Sequence, residues 1–179
     1  GYVANESIPA TLTWTLDKGK DNPKVADTTS SAFAFTGYSV GNDLTVTGTS
    51  KPVDRTGTMY QPTVNNQNGY TDAASVTFTA RPKPGMTFRP SKVSFYATRN
   101  GTNGGKLEAS LDVDGAKNVL GTNLDPIRNN IEPKQAFFEF DVEGVVVYNN
   151  TLTFRIAVAS LGNTKTVTLH DVVIEGEIS

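Results

Sequence analysis

With 179 residues, 16 glycines, nine prolines and 37% hydrophobic content, the chain has the size of one domain, 1–179, that buries a sizeable core without covalent staples. A formal net charge of −2 leaves no basic footprint for nucleic acid, and no apolar run approaches the ~18 residues of a membrane-spanning segment. The absence of cysteine excludes disulfides, a thiol nucleophile and thiolate metal sites.

Period-two alternation recurs along the chain, and no stretch carries the 3.6-residue apolar period of a helix. Thr11-Leu12-Thr13-Trp14-Thr15-Leu16 predicts a first strand with Leu12, Trp14 and Leu16 on one side, which places Trp14 in the core. A polar loop is expected over 18–31. Leu44-Thr45-Val46-Thr47 predicts the next strand, followed by loops at 51–55 and 65–71. Val76-Thr77-Phe78-Thr79, Lys92-Val93-Ser94-Phe95-Tyr96-Ala97 and the alternating stretch 107–113 continue the pattern. Phe138-Glu139-Phe140-Asp141-Val142, then 152–158, then 167–174 complete it. Turn signals separate these runs at Gly41-Asn42-Asp43, Pro82-Lys83-Pro84-Gly85, 100–105, Asp114-Gly115 and Gly162-Asn163. Short strands punctuated this regularly, each with one wet face, predict an all-β fold, an antiparallel β-sandwich of jelly-roll type.

The chemistry of the usual enzymes is missing, and the expectation is a protein that is not an enzyme. The single histidine, His170, precedes Asp171 in an alternating strand, so the two side chains are expected on opposite faces. Glycoside hydrolysis needs two carboxylates facing one another. Glu139 with Asp141, and Glu108 with Asp112, instead align on solvent faces of single strands. One histidine and no cysteine exclude the usual zinc sites. No cofactor is expected; a structural calcium site is the one metal centre left open. Asp17, Asp21 and Asp27 in the first polar loop are its only acidic cluster of note, and their spacing does not match an EF-hand. Gly101-Thr102-Asn103-Gly104-Gly105 lacks the ending of a phosphate loop and reads as a hairpin tip.

A sugar presents flat C–H faces and a rim of hydroxyls, and is held by an aromatic plate with planar polar groups beside it. Tyr38, Tyr60, Tyr70, Tyr96 and Tyr148 stand outside the alternating core pattern. Tyr96 falls opposite Val93, Phe95 and Ala97, on the wetter face. Polar candidates cluster in two loops, 98–106 and 126–130. The expected ligand-binding set is therefore Arg99, Asn103, Lys106, Arg128 and Asn130, with Tyr60 or Tyr96 as the plate. Forked guanidinium donors suit an acidic sugar chain; the alternative role of these arginines is to brace their own loops.

The string Gly85-Met86-Thr87-Phe88-Arg89-Pro90-Ser91-Lys92-Val93-Ser94-Phe95 resembles a stretch recurring in non-catalytic β-sandwich domains. Those domains are attached to secreted pectate lyases and related polysaccharide-degrading proteins of gut anaerobes. The resemblance continues through 98–107, Pro126-Ile127-Arg128-Asn129-Asn130, 160–165 and Ile174-Glu175-Gly176, and through Trp14 and Asp17-Lys18-Gly19 near the start. It implies a carbohydrate-binding-type module, extracytoplasmic and usually beside a catalytic domain in the same chain; the expected ligand is a plant cell-wall polysaccharide, acidic or neutral, with a pectin-type glycan favoured. Two other readings compete with it. One is a structural or adhesive spacer without a sugar site. The other is a lyase that uses Arg99, Arg128 or Lys165 with a cation.

Overall fold

The computed structural model describes residues 6–64, 69–101, 105–159, 162 and 164–179. Among these residues thirteen strands run in chain order, beginning with β1 (Ile8–Trp14), β2 (Asp27–Thr28), β3 (Phe33–Val40), β4 (Leu44–Ser50) and β5 (Gly57–Pro62). Then come β6 (Ser75–Pro82), β7 (Thr87–Asn100), β8 (Lys106–Val113) and β9 (Ala116–Leu124). The last four are β10 (Ala136–Asp141), β11 (Val147–Tyr148), β12 (Leu152–Ala159) and β13 (Thr166–Ile178). Among the described residues the only helical element is a 3-10 turn, Gly19–Asp21.

All pairings between strands are antiparallel, and they form two sheets packed as a jelly-roll sandwich. The eight-stranded sheet orders β10-β7-β13-β1-β2, with β5 joining β13, β4 joining β5 and β11 joining β7. The five-stranded sheet orders β3-β6-β12-β8-β9. Long-range pairing is the organising fact: β13, next to the end of the sequence, lies between β1 and β7.

Alternation explains the core. Val76, Phe78 and Ala80 of β6, Leu152, Phe154 and Ile156 of β12, and Val93, Phe95 and Ala97 of β7 turn inward and are buried. Aromatic contacts link the layers, with Trp14 and Phe78 ring centres 5.2 Å apart, Phe78 and Phe154 6.0 Å, and Phe95 and Phe154 6.0 Å. Each such side chain contributes roughly 1.5–3 kcal/mol by leaving water.

The alternation did not anticipate β3, β5 and β9. Both β3 and β9 are edge strands of the smaller sheet, and β9 in particular is largely exposed, so neither needs a full apolar face. Tyr60 corrects the sequence reading. It lies on β5 opposite Val167, is 0% exposed, and its hydroxyl sits 2.7 Å from that of Tyr38. Burial, reinforced by Tyr38, pushes its phenol well above the usual value. A ring sealed in the core offers no face to a ligand. Tyr38 likewise packs against the core rather than standing in water.

Candidate functional site

On β7 the inward parity of Val93, Phe95 and Ala97 leaves Ser94, Tyr96 and Thr98 facing out, as alternation requires. Strand register then sets Tyr96 beside Phe137 of β10 on one side and beside His170 of β13 on the other. Three rings thus form a row across three adjacent strands. Tyr96 and His170 stack at 4.7 Å and 6°, while Tyr96 and Phe137 meet at 4.6 Å and 39°. Thr98, on one side of Tyr96 along the strand, is covered by the Ile127 and Lys134 carbonyls; Ser94, on the other side, is small, and the rings stand above it as a ridge. Phe137 is its exposed end, with 49% of its surface open, and Tyr96 is half-buried.

The inner end of the ridge is braced by polar groups. His170, 2% exposed, bonds through Nδ1 to Asp171 Oδ2 at 3.0 Å and through Nε2 to Gln135 Oε1 at 2.9 Å. Asp171 also accepts from Arg55 Nη2 at 2.8 Å. Here the structure overturns the expectation that His170 and Asp171 face opposite ways. Pairing with β7 slips between His170 and Val173, and Asp171 adopts a left-handed φ of 49°. This bulge turns the carboxylate back onto the histidine's side. The result has the His–Asp part of a catalytic triad, but its other imidazole nitrogen meets an amide rather than a hydroxyl or thiol. The chemistry it offers is orientation of a ring.

The loop arginines gather at one end of the sandwich. Residues 125–130 run alongside the end of β7. Arg99 N donates to Ile127 O at 2.9 Å, and Asn129 N to Arg99 O at 3.0 Å, making a parallel bridge between Arg99 and Arg128. Thr98 Oγ1 donates to Ile127 O at 3.0 Å and lies 2.6 Å from Lys134 O. Asp125 caps the loop by accepting from Ile127 N at 3.0 Å, and it receives Arg99 Nε at 3.4 Å and Lys106 Nζ at 3.8 Å. Burial alone would raise the Asp125 carboxyl. The Ile127 amide, Lys106 and Arg99 together outweigh it and hold the group below the usual carboxylate value.

Of the expected set, Arg99, Lys106 and Arg128 therefore converge, and Tyr96 belongs to a separate outer-face ridge. Asn130 is exposed on the same loop as Arg128, and Asn103 lies outside the described residues. Lys165 packs near Gly101 at this end, where a side chain added at Gly101 would come within 2.7 Å of its Cδ. Sequence reasoning missed Phe137, Gln135, Arg55, Asp125 and the supporting role of His170. Phe137 had a signal: in Phe137-Phe138 consecutive strand residues point to opposite faces, so one ring must face water. Among the described residues no three His, Asp or Glu side chains are grouped to hold a metal, and Asp17 is engaged with Lys18 and Thr15.

No protein-family model and no curated protein sequence matches the chain. Solved structures do resemble it. One holds the CBM22-1 and GH10 modules of the Clostridium thermocellum endo-1,4-beta-D-xylanase 10B complexed with xylohexaose. It is 14% identical with a TM-score of 0.48, the match covering 92% of this chain and 28% of that one. Another is the C-terminal CBM6 of a Zobellia galactanivorans laminarinase, 16% identical at a TM-score of 0.42, covering 92% and 98%. A third, the mosquito-larvicidal Cry4Aa toxin of Bacillus thuringiensis, is 12% identical at 0.45, covering 79% and 23%. This chain thus spans little more than a quarter of the xylanase structure. At such identities and scores none of these likenesses assigns a function.

Proposed function

We propose that this domain is a non-catalytic carbohydrate-binding module that holds a sugar chain against the Tyr96–Phe137 ridge on the outer face of the larger sheet. The observation that carries this reading is the exposed ring of Phe137 set in register beside Tyr96. A hydrophobic plate of this kind suits the C–H face of a sugar ring. Arg55, Asp171 and Gln135 border it with donors and acceptors suited to hydroxyls. The stacked, doubly bonded His170 behind Tyr96 fixes the plate before any ligand arrives, which lowers the ordering cost of binding. A plant cell-wall polysaccharide of the pectin type is the ligand class placed first, with the module exported and acting beside a catalytic domain.

Affinity electrophoresis of the domain against pectic, xylan, mannan and β-glucan polymers tests it. Retardation by one class is expected, with Phe137→Ala and Tyr96→Ala each weakening it roughly 10-fold, the equivalent of ~1.4 kcal/mol, while circular dichroism and melting show the fold intact. Retardation by none of the polymers would replace this reading with that of a structural spacer.

A further inference from the structure

We infer that the sandwich end carrying Arg99 and Arg128 is a carboxylate-binding site, and that the sugar chain it takes is acidic, built from uronate residues. The ligand class rests on the glycan-binding reading above, but the residues are different and the site stands on its own geometry.

Charge placement is the first observation. Residues directly paired across strands project to the same side, and like charges in that position repel. Arg99 and Arg128 are so paired. The one carboxylate seen among them, Asp125, is shared between Arg99 and Lys106, and Lys165 lies close by at Gly101. Arg128 Nε is buried and has no hydrogen-bond partner among the described residues. A buried donor without an acceptor is costly, and turning the half-buried Arg128 side chain outward onto an arriving anion would relieve that cost.

Backbone conformation is the second, independent observation. Ile127 adopts a left-handed φ of 61°, an outlier for a β-branched side chain. Strain of this kind persists only where surrounding bonds over-determine it, and it gathers at ligand sites. Here the bonds are known: Ile127 O accepts from Arg99 N and Thr98 Oγ1, and Ile127 N donates to Asp125. Together they force the next residue, Arg128, into register beside Arg99. If loop bracing were the role of Arg128, its Nε would face an acceptor of the loop. It does not.

A carboxylate suits the site because guanidinium presents parallel donors that match its two oxygens, and it is the anion a uronate chain carries. With an overall formal charge of −2, the chain lacks the broad basic surface that a nucleic acid needs.

Arginine side-chain N–H resonances of the 15N-labelled domain test the site directly. They are followed as sodium galacturonate is added, with galactose in matched sodium chloride as the neutral twin. The Arg128 Nε–H signal is expected to move with galacturonate, not with galactose, and to return as salt is raised. In retention assays polygalacturonate should bind about 10-fold more tightly than its methyl ester. Arg128→Gln should remove that difference while leaving the weaker binding of the ester, and Arg128→Lys, which keeps the charge but loses the fork, should restore only part of it. Phe137→Ala should weaken both polymers and leave the galacturonate response of Arg128 intact, which separates failure of the ridge from failure of this site. Equal responses to galacturonate and galactose, or an ester difference that survives Arg128→Gln, would overturn the proposal. Tighter binding of a sulfated galactan than of polygalacturonate would overturn the carboxylate assignment.

Discussion

Ile127 holds a left-handed backbone that a β-branched side chain resists, and the cost of such a conformation is of order 1–3 kcal/mol. Glycine removes that cost but gives the unfolded chain more freedom, which returns part of it. Ile127→Gly is therefore expected to stabilise the fold by about 1 kcal/mol, read as a higher urea midpoint at unchanged slope. The response to galacturonate should survive the substitution, because the bonds that set Arg128 beside Arg99 are made by the backbone at Ile127 and not by its side chain. A lower midpoint would mean that the Ile127 side chain contributes more by packing than its backbone costs. Other single residues differ in how readily sequence reveals them. Tyr96 was legible because its neighbours on β7 alternate without interruption. Tyr60 was not, because β5 shows no alternation long enough to assign its parity. The pairing of His170 with Asp171 was hidden as well: it depends on a bulge, and Leu169-His170-Asp171-Val172 contains neither glycine nor asparagine to mark one.

Strands of the interior were the elements most visible in sequence. β6, β7, β8 and β12 bury one face fully, and the period of two is written into their apolar residues. The edge strand β9 buries little, so few of its side chains need to be apolar and its sequence resembles a loop. β13 shows how narrowly a central strand is constrained. At Gly176 its pairing with β7 shifts again, and a Cβ there would lie 2.3 Å from Arg89 O and 2.8 Å from Pro90 Cα. Backbone atoms cannot rotate away, so Gly176→Ala must push two strands apart. A loss of about 2–3 kcal/mol is expected in chemical denaturation, in the range of overpacking in a filled core. A loss below ~0.5 kcal/mol, the size of a surface change, would show that the two strands separate there at little cost.

Across the whole molecule, cohesion comes from pairings between segments far apart in sequence. β1 supplies Leu12 and Trp14 to the core and bonds along its length to β13. Deleting residues 8–14 would uncover those core contacts and expose the flank of β13 at once. The shortened chain is expected to lose dispersed amide signals and cooperative melting altogether; a cooperative melt within a few degrees of the full domain would contradict this. Such long-range pairing also predicts slow folding, since distant segments must meet before any contact rewards them. The fold class was legible because it is the sum of many strands and survives the loss of several. The proposed surfaces were only partly legible, because each depends on cross-strand register: the ridge on Phe137 beside Tyr96, the cation cluster on Arg128 beside Arg99.

Both surfaces nevertheless hang from one strand. Tyr96 and Arg99 are three residues apart on β7, roughly 10 Å at ~3.3 Å per residue, with one turned outward and the other toward the sandwich end. If both proposed surfaces bind, a polymer that reaches from the ridge to the arginines would be held twice, its second contact forming at an effective concentration set by this short rigid spacing rather than by its concentration in solution. A single sugar gains nothing from that arrangement. On the reading proposed above, the domain would measure length: it would discriminate a chain from its own fragments, and release a polysaccharide once it has been cut shorter than the distance between the two holds.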